Sequence, residues 1–167
     1  MSQGGLVFYD PAAGTGQFYR ITNGHTGSAV KTFTDWRTTW TQIVPGSFGG
    51  GGITDLLFYE GSTGTAEFWA LGLDGSLRHF STANLPANLT QIVAGNFSGS
   101  NFTDLLLYDA KAGTGQFFTV KQGVLHTLFN ELGWRDSWKQ IIPTPALPPG
   151  QTYYDPGIPA SVWKEVG

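Results

Sequence analysis

The 167-residue chain contains no cysteine, which excludes disulfides, thiolate metal sites and a cysteine nucleophile. Charged residues make up only 13% of it, and the net charge of −3 leaves no basic stripe that could follow a phosphate backbone. Nucleic acid is therefore not an expected partner. No apolar run approaches the roughly 18 residues of a membrane helix, so insertion in a membrane is not expected either. Residues 1–5 lack the basic and apolar regions of a signal peptide. What the chain does have is 24 glycines and 14% aromatic residues within a 40% hydrophobic composition. Such a mixture suits many short strands joined by tight turns.

Three segments of the chain align. The first reads Leu6-Val7-Phe8-Tyr9-Asp10, then Gly14-Thr15-Gly16-Gln17-Phe18, then Trp40-Thr41-Gln42-Ile43-Val44. The second reads Leu56-Leu57-Phe58-Tyr59-Glu60, Gly64-Thr65-Ala66-Glu67-Phe68 and Leu89-Thr90-Gln91-Ile92-Val93. The third reads Leu105-Leu106-Leu107-Tyr108-Asp109, Gly113-Thr114-Gly115-Gln116-Phe117 and Trp138-Lys139-Gln140-Ile141-Ile142. Gln42, Gln91 and Gln140 recur every 49 residues. Strand-rich units of this period indicate propeller blades.

In the second copy, 55–60 is a short apolar strand and 66–71 an aromatic-rich strand beyond a glycine turn. The Asp74-Gly75 turn leads to a third strand at 76–81, and 89–94 supplies a fourth. The sequence thus predicts an all-β chain: a β-propeller of three four-stranded antiparallel blades, spanning about 6–45, 54–94 and 103–143. A blade has two apolar faces, and three blades are too few to close a ring. Self-association is expected, most simply as a homodimer forming a six-bladed ring. Six of the nine prolines lie at or beyond Pro143. Residues 144–167 read as a proline-rich C-terminal arm, either docked through Tyr153, Tyr154 and Trp163 or mobile.

The junctions Gly46-Ser47-Phe48-Gly49-Gly50-Gly51-Gly52-Ile53-Thr54-Asp55-Leu56 and Gly95-Asn96-Phe97-Ser98-Gly99-Ser100-Asn101-Phe102-Thr103-Asp104-Leu105 resemble the FG-GAP/VCBS repeats of integrin-like and lectin-like propellers. In that family the loop typically carries several calcium-binding acids. Here only Asp55 and Asp104 remain. One carboxylate per loop falls short of the six to eight oxygens calcium takes, so no metal is expected. The two aspartates are expected to cap their turns by accepting backbone N–H bonds.

For a ligand site the strongest pattern is Asp35-Trp36-Arg37-Thr38-Thr39-Trp40, echoed by Gly133-Trp134-Arg135-Asp136-Ser137-Trp138. An aromatic ring can stack on a sugar while neighbouring Arg and Asp bond its hydroxyls. The same tryptophans can equally pack between blades, since the second copy has Leu85 and Leu89 there; Trp40 and Trp138 inside with Trp36 and Trp134 partly outside combines the two. Candidate ligand residues are Asp35, Trp36, Arg37, Trp134, Arg135 and Asp136. Gly-Thr-Gly-Gln-Phe sits in a hairpin and reads as turn chemistry, not a phosphate loop. The histidines His25, His79 and His126 have no nucleophile beside them in sequence, so neither catalysis nor a cofactor is expected. The resemblance implies a carbohydrate-binding, lectin-like propeller with a glycan as partner, and a secreted or cell-surface setting. The alternative is a structural or protein-interaction scaffold with no small ligand.

Overall fold

The computed structural model describes residues 4–144. The proposed arm, apart from Thr144, lies outside the described residues. Eleven strands and no helix form among those residues: β1 (Gly5–Asp10), β2 (Thr15–Thr22), β3 (His25–Phe33), β4 (Gln42–Gly46), β5 (Thr54–Glu60), β6 (Thr65–Leu71), β7 (Leu77–Asn84), β8 (Gln91–Gly95), β9 (Asp104–Asp109), β10 (Thr114–Lys121) and β11 (Val124–Leu132). They make three antiparallel sheets, β1-β2-β3, β4-β5-β6-β7 and β8-β9-β10-β11. The fold is all-β and propeller-like: a row of sheets stacked face to face, with β4 against β8 and β7 against β11.

Local sequence explains the hairpins. Gly14, Gly64 and Gly113 take φ of 63°, 78° and 65° in the turns between the first two long strands of each copy, a conformation that costs glycine little. Asn23-Gly24 and Gln122-Gly123 both have positive φ at their two central positions, the backbone of a type I′ hairpin turn. Burial then follows period and position. β5 and β9 have apolar centres, 56–59 and 105–108, buried on both faces, whereas β6 alternates.

The division into units differs from the expected one by a strand. The segment at 89–94 does not join the sheet of its own copy: β8 pairs with β9, in register Ile92↔Leu107 and Gly95↔Asp104. β4 likewise pairs with β5. The reason is the connection. The loop from β4 to β5 folds back as a hairpin tied down by Asp55, while the chain after β7 crosses to the next sheet. Each copy therefore donates its last strand forward. Two sheets accordingly have four strands and the first has three. The corresponding stretch of the third copy, 138–142, is not in a sheet.

The two inter-sheet layers hold the core. Between the second and third sheets lie Phe48, Leu57, Tyr59, Phe68, Leu85, Leu89, Ile92, Leu105, Leu107 and Val120. Between the first and second lie Trp40, Leu56 and Phe58, with Val7, Tyr9, Trp36, Ile43, Trp69 and Leu77 packed around them.

Candidate functional site

The loop between β3 and β4 carries the first tryptophan pair, and three anchors fix it. The Trp36 N–H donates to the Gly14 carbonyl at 2.9 Å. The Tyr9 hydroxyl donates to the Arg37 carbonyl at 2.6 Å. Trp36 lies over Gly16, where a Cβ would come within 2.5 Å of three of its ring carbons. Gly16 is thus there for close approach and not for turn geometry. The other copies repeat both hydrogen bonds, and the third copy repeats the close approach as well. Leu85 and Trp134 donate to Gly64 and Gly113. The Tyr59 hydroxyl donates to Pro86 at 2.7 Å, and Tyr108 donates to Arg135. Gly115 lies under Trp134 as Gly16 lies under Trp36. The second copy pairs a smaller Leu85 with Ala66, both buried in one cluster. Small residue and large residue vary together.

Asp35, Trp36 and Arg37 meet in a cavity of about 310 Å³ between the first two sheets, lined also by Phe33, Trp40, Phe58, Glu67, Trp69 and Leu77. This is at the small end of ligand pockets, which run roughly 300–1,000 Å³. Trp40 is buried and Trp36 half-buried, the division expected of the pair. Trp36 stacks on Phe33 (centroids 5.2 Å, 27°) and meets Phe58 edge-on at 5.0 Å. The Arg37 guanidinium lies 4.8 Å from the Trp40 ring centroid and forms an ion pair with Glu67 at 2.7 Å. Glu67 also accepts the Trp69 indole N–H at 3.1 Å. Aromatic walls and a charged rim of Asp35, Arg37 and Glu67 can bind a small polyhydroxylated molecule by stacking and by bidentate hydrogen bonds.

Trp134, Arg135 and Asp136 do not join this site. They lie at the opposite end of the row, where Trp134 packs on Tyr108, Phe117 and Trp138. Trp138, expected inside, is instead 39% exposed where its counterpart Trp40 is 7% exposed, because no sheet among the described residues covers that face. Burial, and next the charges of Asp136 and Asp109, push the Tyr108 phenol above its ordinary pKa. Glu67 and Trp69 are site residues that sequence reasoning missed. Their signal was available: Glu67 stands where the other copies have Gln17 and Gln116, and Trp69 where they have Tyr19 and Phe118. Both departures face the cavity.

The junction aspartates cap their loops. Asp55 Oδ2 accepts the Phe48 and Gly50 N–H groups at 2.7 and 3.0 Å. Asp104 Oδ2 accepts those of Phe97 and Ser98, and its Oδ1 accepts the Ser98 hydroxyl at 3.0 Å. Asp55 Oδ1 is buried with no partner. One spare carboxylate oxygen does not make a calcium cage, and no group of three potential metal-ligating His, Cys, Asp or Glu occurs among the described residues. These residues do not fit a calcium ion. Asp10 and Asp109 accept N–H bonds of their own turns.

No protein-family model and no curated protein matches the sequence. Among solved structures, the chain is similar to a "putative 6-phosphogluconolactonase" from Bacteroides fragilis at 12% identity and a TM-score of 0.54. The match covers 80% of this chain and 40% of that one, so the chain spans less than half the length of its neighbour. At this identity the likeness concerns the fold alone.

Proposed function

We propose that this chain is a carbohydrate-binding, lectin-like propeller unit of the FG-GAP/VCBS type, with its ligand in the cavity at Trp36. The observation that carries the reading is that cavity: aromatic side chains from two sheets and an Arg37–Glu67 pair at its rim. A sugar ring offers an apolar face to the aromatics and vicinal hydroxyls to the ion pair. Binding is favoured over catalysis because Glu67 is already engaged by Arg37 and by the Trp69 indole. The lactonase activity named for the structural neighbour is not carried over to this chain.

One observation favours the scaffold alternative. Trp36 is seated on Gly16 and stacked on Phe33, so much of its ring is spent on packing. A glycan array, followed by calorimetry and tryptophan fluorescence with the best binders, separates the two. The lectin reading expects saturable binding that shifts tryptophan emission and falls at least tenfold in Asp35→Ala and Glu67→Gln. Silence across the array from folded protein refutes it and leaves the scaffold.

A further inference from the structure

Among the described residues the first sheet lacks a strand that the other two possess, and a segment whose sequence matches that strand lies in no sheet. In the second and third sheets the apolar strands β5 and β9 are flanked on one side by β4 and β8. Their counterpart β1 pairs only with β2 among the described residues. The outer face of β1, opposite to the one that packs on the second sheet, is also covered by no sheet among the described residues. Leu6 and Phe8 are 46% and 50% exposed, whereas Leu56 and Phe58 are each 3% exposed and Leu105 and Leu107 are fully buried. Beside the open edge runs a groove of about 710 Å³, lined by Leu6, Val7 and Tyr9 on one side and by Ile43, Pro45 and Leu56 on the other. That is where a first strand would lie, against β1 and next to β4.

At the far end of the row, Gln140-Ile141-Ile142-Pro143 matches Gln42-Ile43-Val44-Pro45 of β4 and Gln91-Ile92-Val93-Ala94 of β8. Its backbone is already held as β8 is held. Gln42 Oε1 accepts the Ile92 N–H at 2.8 Å, and Gln91 Oε1 accepts the Ile141 N–H at 2.8 Å. Ile142 is 69% exposed. The segment cannot serve β1 of its own chain, because Gln91 holds it on the third sheet and the whole second sheet intervenes.

We propose that residues 140–143 of one copy add to β1 of a second copy as its missing strand, reciprocally, closing six sheets into a two-fold ring. The register follows from Ile43↔Phe58 and Ile92↔Leu107: Ile141 lies opposite Phe8 of the second copy, and Ile142 opposite its Val7. Gln140 then clamps Ile43 of the second copy, completing the series begun by Gln42 and Gln91. Trp138 covers Phe8 as Trp40 covers Phe58. Addition of an extended segment to a bare sheet edge supplies main-chain hydrogen bonds for affinity and side-chain pockets for register. Reciprocal exchange is a two-fold contact and closes.

Because the chain has no cysteine, engineered cysteines report the pairing directly. The Ile92 N–H points to Gln42 and away from β9, so the Ile92–Leu107 pair is of the non-hydrogen-bonded kind, with Cα atoms about 4.5 Å apart. The equivalent Ile141–Phe8 pair then falls within reach of a disulfide. Ile141→Cys and Phe8→Cys chains are prepared separately, checked for native circular dichroism, unfolded together, refolded as a mixture and oxidised. The proposal expects a disulfide-linked pair from the mixture, little from either variant alone, and a ring-sized particle. A mixture that refolds but stays uncross-linked overturns it. So does a double variant that closes its disulfide within one chain. An open polymer overturns the ring. If the variants do not fold, protection of the β1 amides from hydrogen exchange in the unmodified chain decides. Protection that persists in a particle of one chain means that the chain's own C-terminal residues cover the edge, and it too overturns the proposal.

Discussion

Gln91 holds Ile141 by both ends of its side-chain amide: Oε1 accepts the Ile141 N–H at 2.8 Å, and Nε2 donates to the Ile141 carbonyl at 3.0 Å. Gln42 does the same for the preceding junction, accepting the Ile92 N–H at 2.8 Å and donating to the Leu89 carbonyl at 3.4 Å. Gln42 is therefore a joint between the second and third sheets, and Gln91 holds the segment after the third sheet in a similar way. Glutamate at either position keeps the acceptor and loses the donor. Gln42→Ala leaves the Ile92 N–H without its acceptor in a half-buried site and should cost ~1–2 kcal/mol in urea denaturation, with Gln42→Glu intermediate.

The repeated tyrosine is a second joint. Tyr59 is fully buried; its hydroxyl donates to the Pro86 carbonyl and accepts the Leu89 N–H at 3.1 Å. Tyr59→Phe strands both groups and should destabilise the fold by ~2–3 kcal/mol. Tyr9→Phe breaks a single bond in a less buried setting and should cost ~1 kcal/mol. Urea melts of the two variants check the ranking.

Tyr9 also sets an alkaline limit. Burial raises its pKa above the ordinary 10.0, with the Asp10 charge adding to the effect. A raised phenol pKa means that the unfolded chain loses its proton first. The contribution is therefore complete below the unfolded value of about 10 and is lost as pH climbs through the folded one. Stability should fall more steeply with pH above 10 in the unmodified chain than in Tyr9→Phe. Ultraviolet titration of the phenolate alongside denaturation measures both.

Gly16 and Ala66 separate packing from turn chemistry. In Gly16→Ala the new methyl would lie 2.5 Å from Trp36 ring carbons, so the indole must move. The cost should be ~1–3 kcal/mol, with a shift in tryptophan emission as the cavity wall is displaced. Were Gly16 present for turn geometry alone, alanine would leave the emission unchanged.

The Asp104 cap offers the fifth test. Asp104→Ala removes the acceptor of two backbone N–H groups and a hydroxyl, and should cost ~3 kcal/mol. Millimolar calcium should leave the melting temperature of the unmodified chain unchanged, because the carboxylate is spent on the loop.

Period and strand type were legible in the sequence because both are local. Apolar runs at 55–60 and 66–71 fall within a residue of β5 and β6, and the capping role of Asp55 followed from its place at a strand's entry. Which sheet receives the strand at 89–94 was not legible. That depends on whether a loop turns back or crosses over, and the repeat has no natural starting point. The cavity was half legible. The pattern Asp35-Trp36-Arg37 marked one wall, but Glu67 and Trp69 arrive from the neighbouring sheet, and only their departure from the other copies hinted at it. The pairing of Gly16 with Trp36 was hidden because glycine in a hairpin motif already has an adequate explanation.

The most direct measurement is the mass of the unmodified chain by light scattering after size exclusion, at concentrations from micromolar downward. Strand exchange predicts a particle of two 18.0 kDa chains, which dilution below its dissociation constant converts to chains with β1 open to hydrogen exchange. A compact single chain at every concentration, with Phe8 and Ile142 left in water, would contradict it.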